Sequence, residues 1–264
     1  MDELSRDFAN RDELVAYLTT LTPWLDDHQP GPMTGGATAA QRQLEKIEPL
    51  RYARTRNFLD GAVTRLSPYI RHAVLTLNDV RNAAIERVER PAQIEKFIQE
   101  LGWRDYWQRV YRANPDSIWE DVEAYKTGYR ATDYATELPE DIALGETGVA
   151  CIDQFIACLR DTGYLHNHAR MYVAAYVVHW RRIRWQAGAR WFLHHLVDGD
   201  PASNNLSWQW VASTFGQKPY IFNLENVRKY ATDDINTSAA DNVPLDASYD
   251  VLNQRLFPRR GSSS

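Results

Sequence analysis

Residues 151–196 read CIDQFIACLRDTGYLHNHARMYVAAYVVHWRRIRWQAGARWFLHHL and carry the strongest signal for the fold. The first apolar side chains repeat at the spacing of one helix face: Cys151, Ile152, Phe155, Ile156 and Leu159. Gly163 ends this stripe, and helical patterns over residues 166–186 and 188–196 follow it. No alternating pattern elsewhere predicts a strand ladder. The sequence therefore predicts an all-α, compact multi-helix fold.

The composition outside this stretch is that of an ordinary globular protein. The chain has 264 residues, of which 44% are hydrophobic and 25% charged, and its net charge is −5. These values exclude whole-chain disorder and argue against broad, sequence-independent DNA binding. They do not exclude a local basic groove. Nine Trp and fourteen Tyr suit a core, a stacking site or electron transfer, and composition does not choose among these.

The cysteines and the chain start bear on localisation. Cys151 and Cys158 are too few and too far apart on one helix to form a disulfide scaffold, which favours a reduced, cytoplasmic protein. The first ten residues, MDELSRDFAN, are polar and acidic, so we expect no signal peptide. No apolar run approaches the length of a membrane span, so no membrane partner is expected.

Two segments suggest a charged or planar ligand. Residues 63–68, VTRLSP, place hydroxyls and Arg65 where a helix is expected to start at Ser67, which suits a phosphate group or an ordinary helix cap. Residues 103–107, WRDYW, set a cation and an anion among aromatic rings. Such a segment clamps a planar ligand or, in the plainer interpretation, forms an amphipathic helix with tryptophan in the core.

Two further segments contain acidic or histidine side chains of the kinds that bind cations and metals. Residues 198–210, DGDPASNNLSWQW, have acidic groups around a glycine turn, which suit a cation, the ring N–H groups of a ligand or a simple interhelical turn. His166 and His168 are two residues apart and do not share a helix face, and the adjacent pair His194 and His195 fails in the same way. With no complete ligand set, we expect no metal site.

In chain order, four segments resemble the flavin-binding domain of the photolyase/cryptochrome superfamily. Residues 162–171, TGYLHNHARM, are similar to its TG-W-x-HN-R-x-R-M segment, and residues 198–210 to its DGD-x-A-x-NN-xx-WQW segment. Residues 64–69, TRLSPY, and residues 100–105, ELGWRD, are similar to its TSRLSPY and EL-x-WRE. The resemblance runs from about residue 35 to about residue 222 and does not include the family's N-terminal antenna domain.

The resemblance implies an all-α domain that holds FAD. It divides the chain into an N-terminal helix and loop at 1–34, the FAD-binding domain at 35–230, and a partly disordered extension at 231–264. The positions that it implies for FAD binding are Tyr52, Thr64, Arg65, Leu66, Ser67, Arg104, Asn167, Arg170, Asp198, Asp200 and Asn204. Within this set, Arg170 and Asp198 correspond to a pair beside the flavin ring, and Asn204 to the residue facing flavin N5.

The resemblance also implies two sets of reactive positions. Trp208 and Trp185 correspond to the first two members of the tryptophan chain that re-reduces photoexcited flavin. The positions that line the lesion pocket of repair enzymes are Glu100, Trp103, Asn167, Met171 and Trp210.

The chain departs from the family pattern at several positions. Thr132 stands where the third, surface tryptophan is expected, so Tyr129, Tyr134, Trp180 and Trp191 all stay open as the end of the electron path. His168 replaces an arginine expected near damaged DNA. The four cysteines that hold an iron–sulfur cluster in one branch of the family are lacking, so no cluster is expected.

Three functions remain open from the sequence. The first is a photolyase, a carbon–carbon lyase that repairs pyrimidine dimers in damaged, single-stranded DNA. The second is a cryptochrome-like blue-light or redox sensor, with a signalling or antenna-bearing protein as its partner. The third is a helical interaction module without photochemistry. The pocket residues favour repair, whereas the net charge and His168 favour sensing.

Overall fold

The computed structural model describes residues 4–23 and 31–261 of the chain. The chain divides into two compact units, Met1–Thr34 and Gly35–Ser264. The first unit contains helix α1, Arg11–Leu21, whose N-terminus is capped because the side chain of Asn10 accepts a hydrogen bond from the Glu13 backbone N–H.

The second unit is built from helices and connecting loops. Its α-helices are α2 (Ala37–Glu45), α3 (Pro49–Thr55), α4 (Ser67–Arg71), α5 (Leu77–Ile85), α6 (Glu95–Ala113), α7 (Glu140–Leu144), α8 (Ala150–Thr162), α9 (Asn167–Ala175), α10 (Trp185–His195), α11 (Pro201–Ala212), α12 (Leu224–Tyr230) and α13 (Tyr249–Leu256). Within the described ranges, an isolated bridge between Ala135 and Ile183 is the one β-type pairing. The prediction of an all-α fold is confirmed.

The main core forms where α8, α9, α10 and α11 pack together. The apolar stripe of α8 is buried as its spacing predicts, and Ile152, Ile156 and Leu159 are fully covered. Gly163 ends α8 at a positive φ of 66°, and a Cβ atom there would come within 2.7 Å of Val197. This close approach brings the start of α9 next to the turn between α10 and α11, where the candidate site lies.

The continuous helix predicted over residues 166–186 is wrong. After α9 the chain forms a single π-helical turn, Tyr176–Trp180, and leaves helical geometry at Arg182, whose φ is +54°. Backbone hydrogen bonds join Ala135 to Arg182 and Arg184. A loop that is distant in sequence therefore stabilises the interruption of the helix. The spacing of apolar residues within 166–186 gives no information about this long-range pairing.

Residues 231–261 belong to the same compact unit as the helices before them. Leu252, Leu256 and Phe257 bury their side chains in a cluster that includes Trp180. Residues 262–264, part of the segment predicted to be partly disordered, lie outside the described residues. No helix in the described part of the chain is long and apolar enough to cross a membrane.

Candidate flavin site and aromatic cleft

Tyr164, at the start of the α8–α9 connection, has two guanidinium groups close to its ring. The Cζ atoms of Arg65 and Arg170 are 5.6 and 5.5 Å from the centre of its ring. Arg65 has a φ of +52°, a left-handed conformation that costs an arginine about 1–2 kcal/mol. Backbone strain of this kind concentrates at ligand-binding positions, which makes the Arg65 loop a candidate contact.

Arg170 and Asp198 form an ion pair in which the carboxylate is nearly covered. One guanidinium nitrogen of Arg170 donates to both carboxylate oxygens, at 3.0 and 2.9 Å, and its Nε donates to the Leu165 carbonyl at 2.7 Å. The Asp198 side chain is only 3% exposed. The pair therefore links α9 to the turn between α10 and α11 and fixes a guanidinium at the edge of the site.

A second ion pair joins α6 to the N-terminus of α11. Asp200 caps α11 by accepting from the Ser203 backbone N–H at 2.7 Å, and it accepts from the side-chain amide of Gln108 at 3.0 and 2.8 Å. A nitrogen of Arg104 lies 3.8 Å from the same carboxylate. Burial lowers the pKa of Arg104, with Asp200 opposing that effect, yet an arginine stays charged at neutral pH. Asp200 thus already has partners within the chain.

Positive charge exceeds negative charge in this region, which we call the arginine cage: Arg65, Arg71, Arg104, Arg170, Asp198 and Asp200. Arg71 joins it because its Nε donates to the Gly199 carbonyl at 2.6 Å. Each arginine acts electrostatically on Tyr164 or on another member of the cage. Four guanidinium groups against two carboxylates leave an excess that suits the two negative charges of a diphosphate.

Polar atoms without partners test whether the cage suits FAD. The Nδ1 of His166 accepts from the His168 backbone N–H at 3.1 Å, and burial lowers the pKa of His166 to about 4. The ring is therefore neutral with its proton on Nε2, a buried donor that has no partner in the chain. The hydroxyl of Ser203 is buried without a partner as well. An acceptor-rich group such as FAD fits these two atoms.

Asn204 and Trp208 lie on α11, where it packs against α10. The amide nitrogen of Asn204 donates to the Ala189 carbonyl at 3.0 Å and to Asn205 at 2.9 Å, which leaves its carbonyl oxygen available to the site. Trp208 is 2% exposed and packs so closely on Gly188 that a Cβ atom there would come within 2.2 Å of the indole. Trp185, three residues before Gly188, is fully buried on the same helix.

The segment that carries Thr64, Leu66 and Ser67 differs in detail from the prediction. Ser67 is the first residue of α4, not its cap, and α4 spans only five residues. So short a helix has little macrodipole, so the case for a phosphate here depends on the neighbouring guanidinium of Arg65. The hydroxyl of Thr64 accepts from the Leu66 backbone N–H at 3.3 Å, and Leu66 is buried.

Tyr52 connects this segment to α6. Its ring packs edge-to-face on Phe97 at 5.0 Å. Burial raises its pKa, with the negative charge of Glu100 adding to the effect and Tyr164 contributing as a further neighbour. Tyr52 therefore lies within electrostatic reach of both Glu100 and Tyr164.

Trp103 and Trp210 line one open cleft of about 510 Å³, which we call the aromatic cleft. Its other lining residues are Gln99, Gly102, Tyr106, Trp107 and Phe215. Trp103 stacks on Trp107 with ring centres 5.3 Å apart, and the exposed fractions are 48% for Trp103 and 43% for Trp210. The plainer interpretation of the WRDYW segment holds for Trp107, which is buried, but not for Trp103.

The remaining predicted pocket residues lie on α6 and α9. Glu100 pairs with Lys96 at 2.8 Å and with Arg56 at 3.8 Å, and its side chain is 30% exposed. Asn167 is exposed, and its amide lies 3.9 Å from the sulfur of Met171 one turn further along α9. Both helices that carry these residues, α6 and α9, pack against α11.

His168 does not occupy a position that can contact DNA phosphates. It is 9% exposed and packs edge-on between Tyr172 and Tyr230, with ring centres 4.8 and 4.9 Å away. Burial lowers its pKa to about 4, so the ring is neutral. His168 therefore supplies no cation at the position where the family pattern has an arginine. The ring of Tyr230, which packs on His168, lies 62 positions later in the sequence, so sequence spacing does not predict this contact.

Sequence reasoning missed several residues of this region. Gln108 and Asp121 belong to no recognised motif. Only the folded chain brings Gln108 to Asp200 and Asp121 to Trp185. Tyr106 follows Trp103 at helical spacing, a signal that predicts its place beside the cleft. In the described ranges, no three His, Cys, Asp or Glu side chains come together in a way that suits a metal ion.

The fold and these two sites define a class. Residues 97–236 match the family described as the FAD binding domain of DNA photolyase, and this match covers more than half of the chain. The chain belongs to that family. It is a photolyase-like flavoprotein, and its cofactor is FAD.

Curated relatives agree with this family. The deoxyribodipyrimidine photo-lyase of Streptomyces griseus is 35% identical over 153 residues, which are 58% of this chain and 32% of the relative. That of Vibrio cholerae is 30% identical, and the match covers 90% of this chain and 53% of the relative. The chain thus spans between a third and about half of the length of these relatives.

Solved structures share the fold. A bacterial class III photolyase from Agrobacterium tumefaciens superposes with a TM-score of 0.63 at 24% identity, covering 90% of this chain and 50% of its own. The cryptochrome of Synechocystis sp. PCC6803 superposes with a TM-score of 0.66 at 22% identity, covering 88% and 47%.

Proposed function

We propose that this chain carries out blue-light-driven single-electron chemistry of the DNA photolyase type, with a pyrimidine dimer in single-stranded DNA as its substrate. The observation that carries the proposal is the place of the aromatic cleft. Trp103 directly precedes the cage residue Arg104 on α6, and Trp210 lies on α11, the helix that Asp200 caps. A stacking surface and a cofactor cage therefore share two helices.

The residues of the chain divide the work between holding FAD and holding a substrate. FAD supplies a group that absorbs blue light and exchanges single electrons. The arginine cage, Tyr52, Thr64 and Ser67 hold its charged and polar parts, and His166 Nε2 and Ser203 Oγ supply donors. Asn204 offers a carbonyl oxygen, and Arg170 is kept in place by Asp198.

The substrate side uses rings and two hydrogen-bonding side chains. Trp103 and Trp210 stack on the extruded bases, and Glu100 and Asn167 hydrogen-bond to them, with Met171 filling the space beside Asn167. Extruding bases from a duplex costs a few kcal/mol, and a chain of net charge −5 gains little from phosphates to offset it. Single-stranded DNA avoids that cost, which is why we propose it as the substrate.

A repair assay tests this proposal. Single-stranded DNA with a defined dimer is incubated with reduced, FAD-loaded protein in blue light and in darkness, and intact pyrimidines are counted. We expect repair in light only. Glu100→Gln should lower the yield without changing FAD content, whereas Glu95→Gln, an exposed site one and a half turns earlier on α6, should match the wild type. Equal counts in light and darkness, with FAD bound, would rule out repair.

A sensor is the second candidate, and the net charge of −5 favours it because DNA then attracts the chain weakly. In that case light-driven reduction of the bound FAD persists while repair is absent. A light-dependent change in partner binding, measured with a signalling or antenna-bearing protein, would then replace the repair assay as the test.

A further inference from the structure

Trp103 has one ring face that the rest of the chain leaves open. Its other face stacks on Trp107, with ring centres 5.3 Å apart and planes at 28°. Trp107 is 9% exposed, lines the aromatic cleft and also meets Phe215 at 5.6 Å. Because Trp103 is still 48% exposed, it offers the cleft one flat face, on which one base can stack.

Tyr106 presents a second exposed ring to the same cleft. It follows Trp103 by three residues on α6, so the two side chains lie on the same side of the helix. The ring of Tyr106 meets that of Trp103 edge-on, with centres 5.6 Å apart and planes at 81°, and it packs on Trp107 at 5.1 Å. Tyr106 is 44% exposed and lines the cleft. The cleft therefore contains two accessible rings that are almost perpendicular to each other.

The angle between these two rings decides what kind of strand fits them. A base on Trp103 and a base on Tyr106 are turned by about 81° from each other, so they cannot stack together. Neighbouring bases of a regularly stacked strand are parallel, and such a strand does not match this surface. Where a nucleotide is extruded, it and the next base are splayed apart, and this arrangement does match.

The lining of the cleft favours a neutral, planar group. Five of its seven described lining residues are aromatic, and none of the seven has a charged side chain. The amide nitrogen of Gln99 donates to Glu95 at 3.0 Å, which leaves the Gln99 oxygen to accept from a base N–H. A nucleobase suits this lining because every base has a π-face, whereas a phosphate or a lipid headgroup finds no charge partner among these residues.

The position of Tyr106 favours a base from the same strand over a side chain from a separate protein. The proposed function assigns Trp103 and Trp210 to the extruded dimer and leaves Tyr106 without a role. Tyr106 adjoins Trp103 directly, and consecutive nucleotides are joined by a single phosphate. A dimer on Trp103 therefore brings its neighbouring nucleotide to Tyr106.

We propose that Tyr106 forms a subsite for the base that flanks the dimer and that this subsite prefers a purine; the inference depends on the proposed function. The flanking base leaves the stack and lies on the open face of Tyr106 while the dimer contacts Trp103 and Trp210. A purine is preferred because its two fused rings cover more of the tyrosine ring than a pyrimidine does. Tyr106 thus determines specificity for the sequence around the dimer and takes no part in electron transfer.

The test measures the affinity of FAD-loaded protein for dimer-containing single-stranded DNA in darkness, so that no repair occurs. Three strands differ only beside the dimer: purines on both sides, an abasic residue on the 5′ side, or an abasic residue on the 3′ side. We expect at least one abasic strand to bind about fivefold or more weakly than the purine strand, the loss expected for one stacked base. A pyrimidine at that side should give an intermediate affinity.

Three variants assign this effect to the ring of Tyr106. Tyr106→Ala should weaken binding of the purine strand by the same factor and should no longer distinguish it from the abasic strand. Tyr106→Phe keeps the ring and should match the wild type. Tyr111→Ala changes an exposed tyrosine of α6 that does not line the cleft, and this control should also match the wild type. FAD content and denaturant unfolding should be unchanged in all three.

The outcomes separate the subsite from the proposed function. If the wild type binds all flanks equally but still prefers dimer-containing to undamaged DNA, the subsite is wrong and the proposed substrate stands. If Tyr106→Ala still distinguishes the abasic strand, the flanking base lies elsewhere and the subsite is wrong as well. A wild type that binds dimer-containing and undamaged strands equally, and repairs neither in light, would overturn the proposed function and the subsite with it.

Discussion

The arginine cage and the aromatic cleft share helices α6 and α11 but differ in almost every physical respect. The cage is held by charge pairs whose carboxylates are nearly covered, such as Arg170–Asp198. The cleft is an open surface of rings, and Trp103 and Trp210 keep almost half of their area in contact with solvent. In the cage a missing partner leaves a buried charge, whereas in the cleft a missing ring leaves only more water.

This difference separates two kinds of dependence. Changes in the cage should reduce FAD binding and the stability of the fold together, because the same ion pairs serve both. Changes in the cleft should leave FAD and stability nearly intact and act on DNA alone. Each prediction below tests one side of this division against a matched position.

Asp198→Ala should have the largest effect. It leaves the half-buried Arg170 without its nearly covered carboxylate, and removing one partner of a buried ion pair costs up to about 3–5 kcal/mol. We expect FAD affinity to fall roughly 100-fold or more, measured by titrating apoprotein with FAD. Asp141→Ala removes a carboxylate that pairs with Arg181 at 2.7 Å on the surface, and it should leave FAD binding unchanged. Equal affinities for both variants would contradict the structural role of the cage.

Two glycines give opposite expectations for the two regions. Gly188→Ala places a Cβ atom 2.2 Å from the ring of Trp208 on α11, the helix that the cage residue Asp200 caps, and such overpacking costs about 1–3 kcal/mol of unfolding free energy. Gly102→Ala, in the cleft wall on α6, meets no atom within 4 Å and should stabilise the helix by about 0.5–1 kcal/mol. Denaturant unfolding measures both changes. If both variants changed the free energy of unfolding in the same direction, the packing between α10 and α11 would be looser than the structure shows.

Trp210→Ala should have the smallest effect on the fold and a selective one on DNA. Base–aromatic stacking contributes about 1–3 kcal/mol per base, so binding of dimer-containing single-stranded DNA should weaken by that amount. FAD content should stay at the wild-type level. Tyr249→Ala, an exposed aromatic side chain outside the cleft, is the control and should not alter DNA binding in a filter-binding titration. Loss of FAD in Trp210→Ala would erase the distinction between cleft and cage.

Local patterns in the sequence predicted the helices whose apolar faces meet the core, such as α8, since burial repeats every helical turn. They missed the break at Arg182, because it depends on hydrogen bonds to Ala135, 47 positions earlier. Arg170 and Asp198 were paired only through the family resemblance, and the structure brings the two side chains together. The stacking of Tyr125 on Tyr134 could not be predicted from sequence, because it depends on the path of an irregular loop.

One measurement tests most directly whether FAD binds in the arginine cage. Purified protein is denatured, the released flavin is identified and counted against protein, and the wild type is compared with Asp198→Ala. We predict one FAD per wild-type chain and a large deficit in the variant. A wild-type protein that contains no FAD and takes up none on reconstitution would contradict the account.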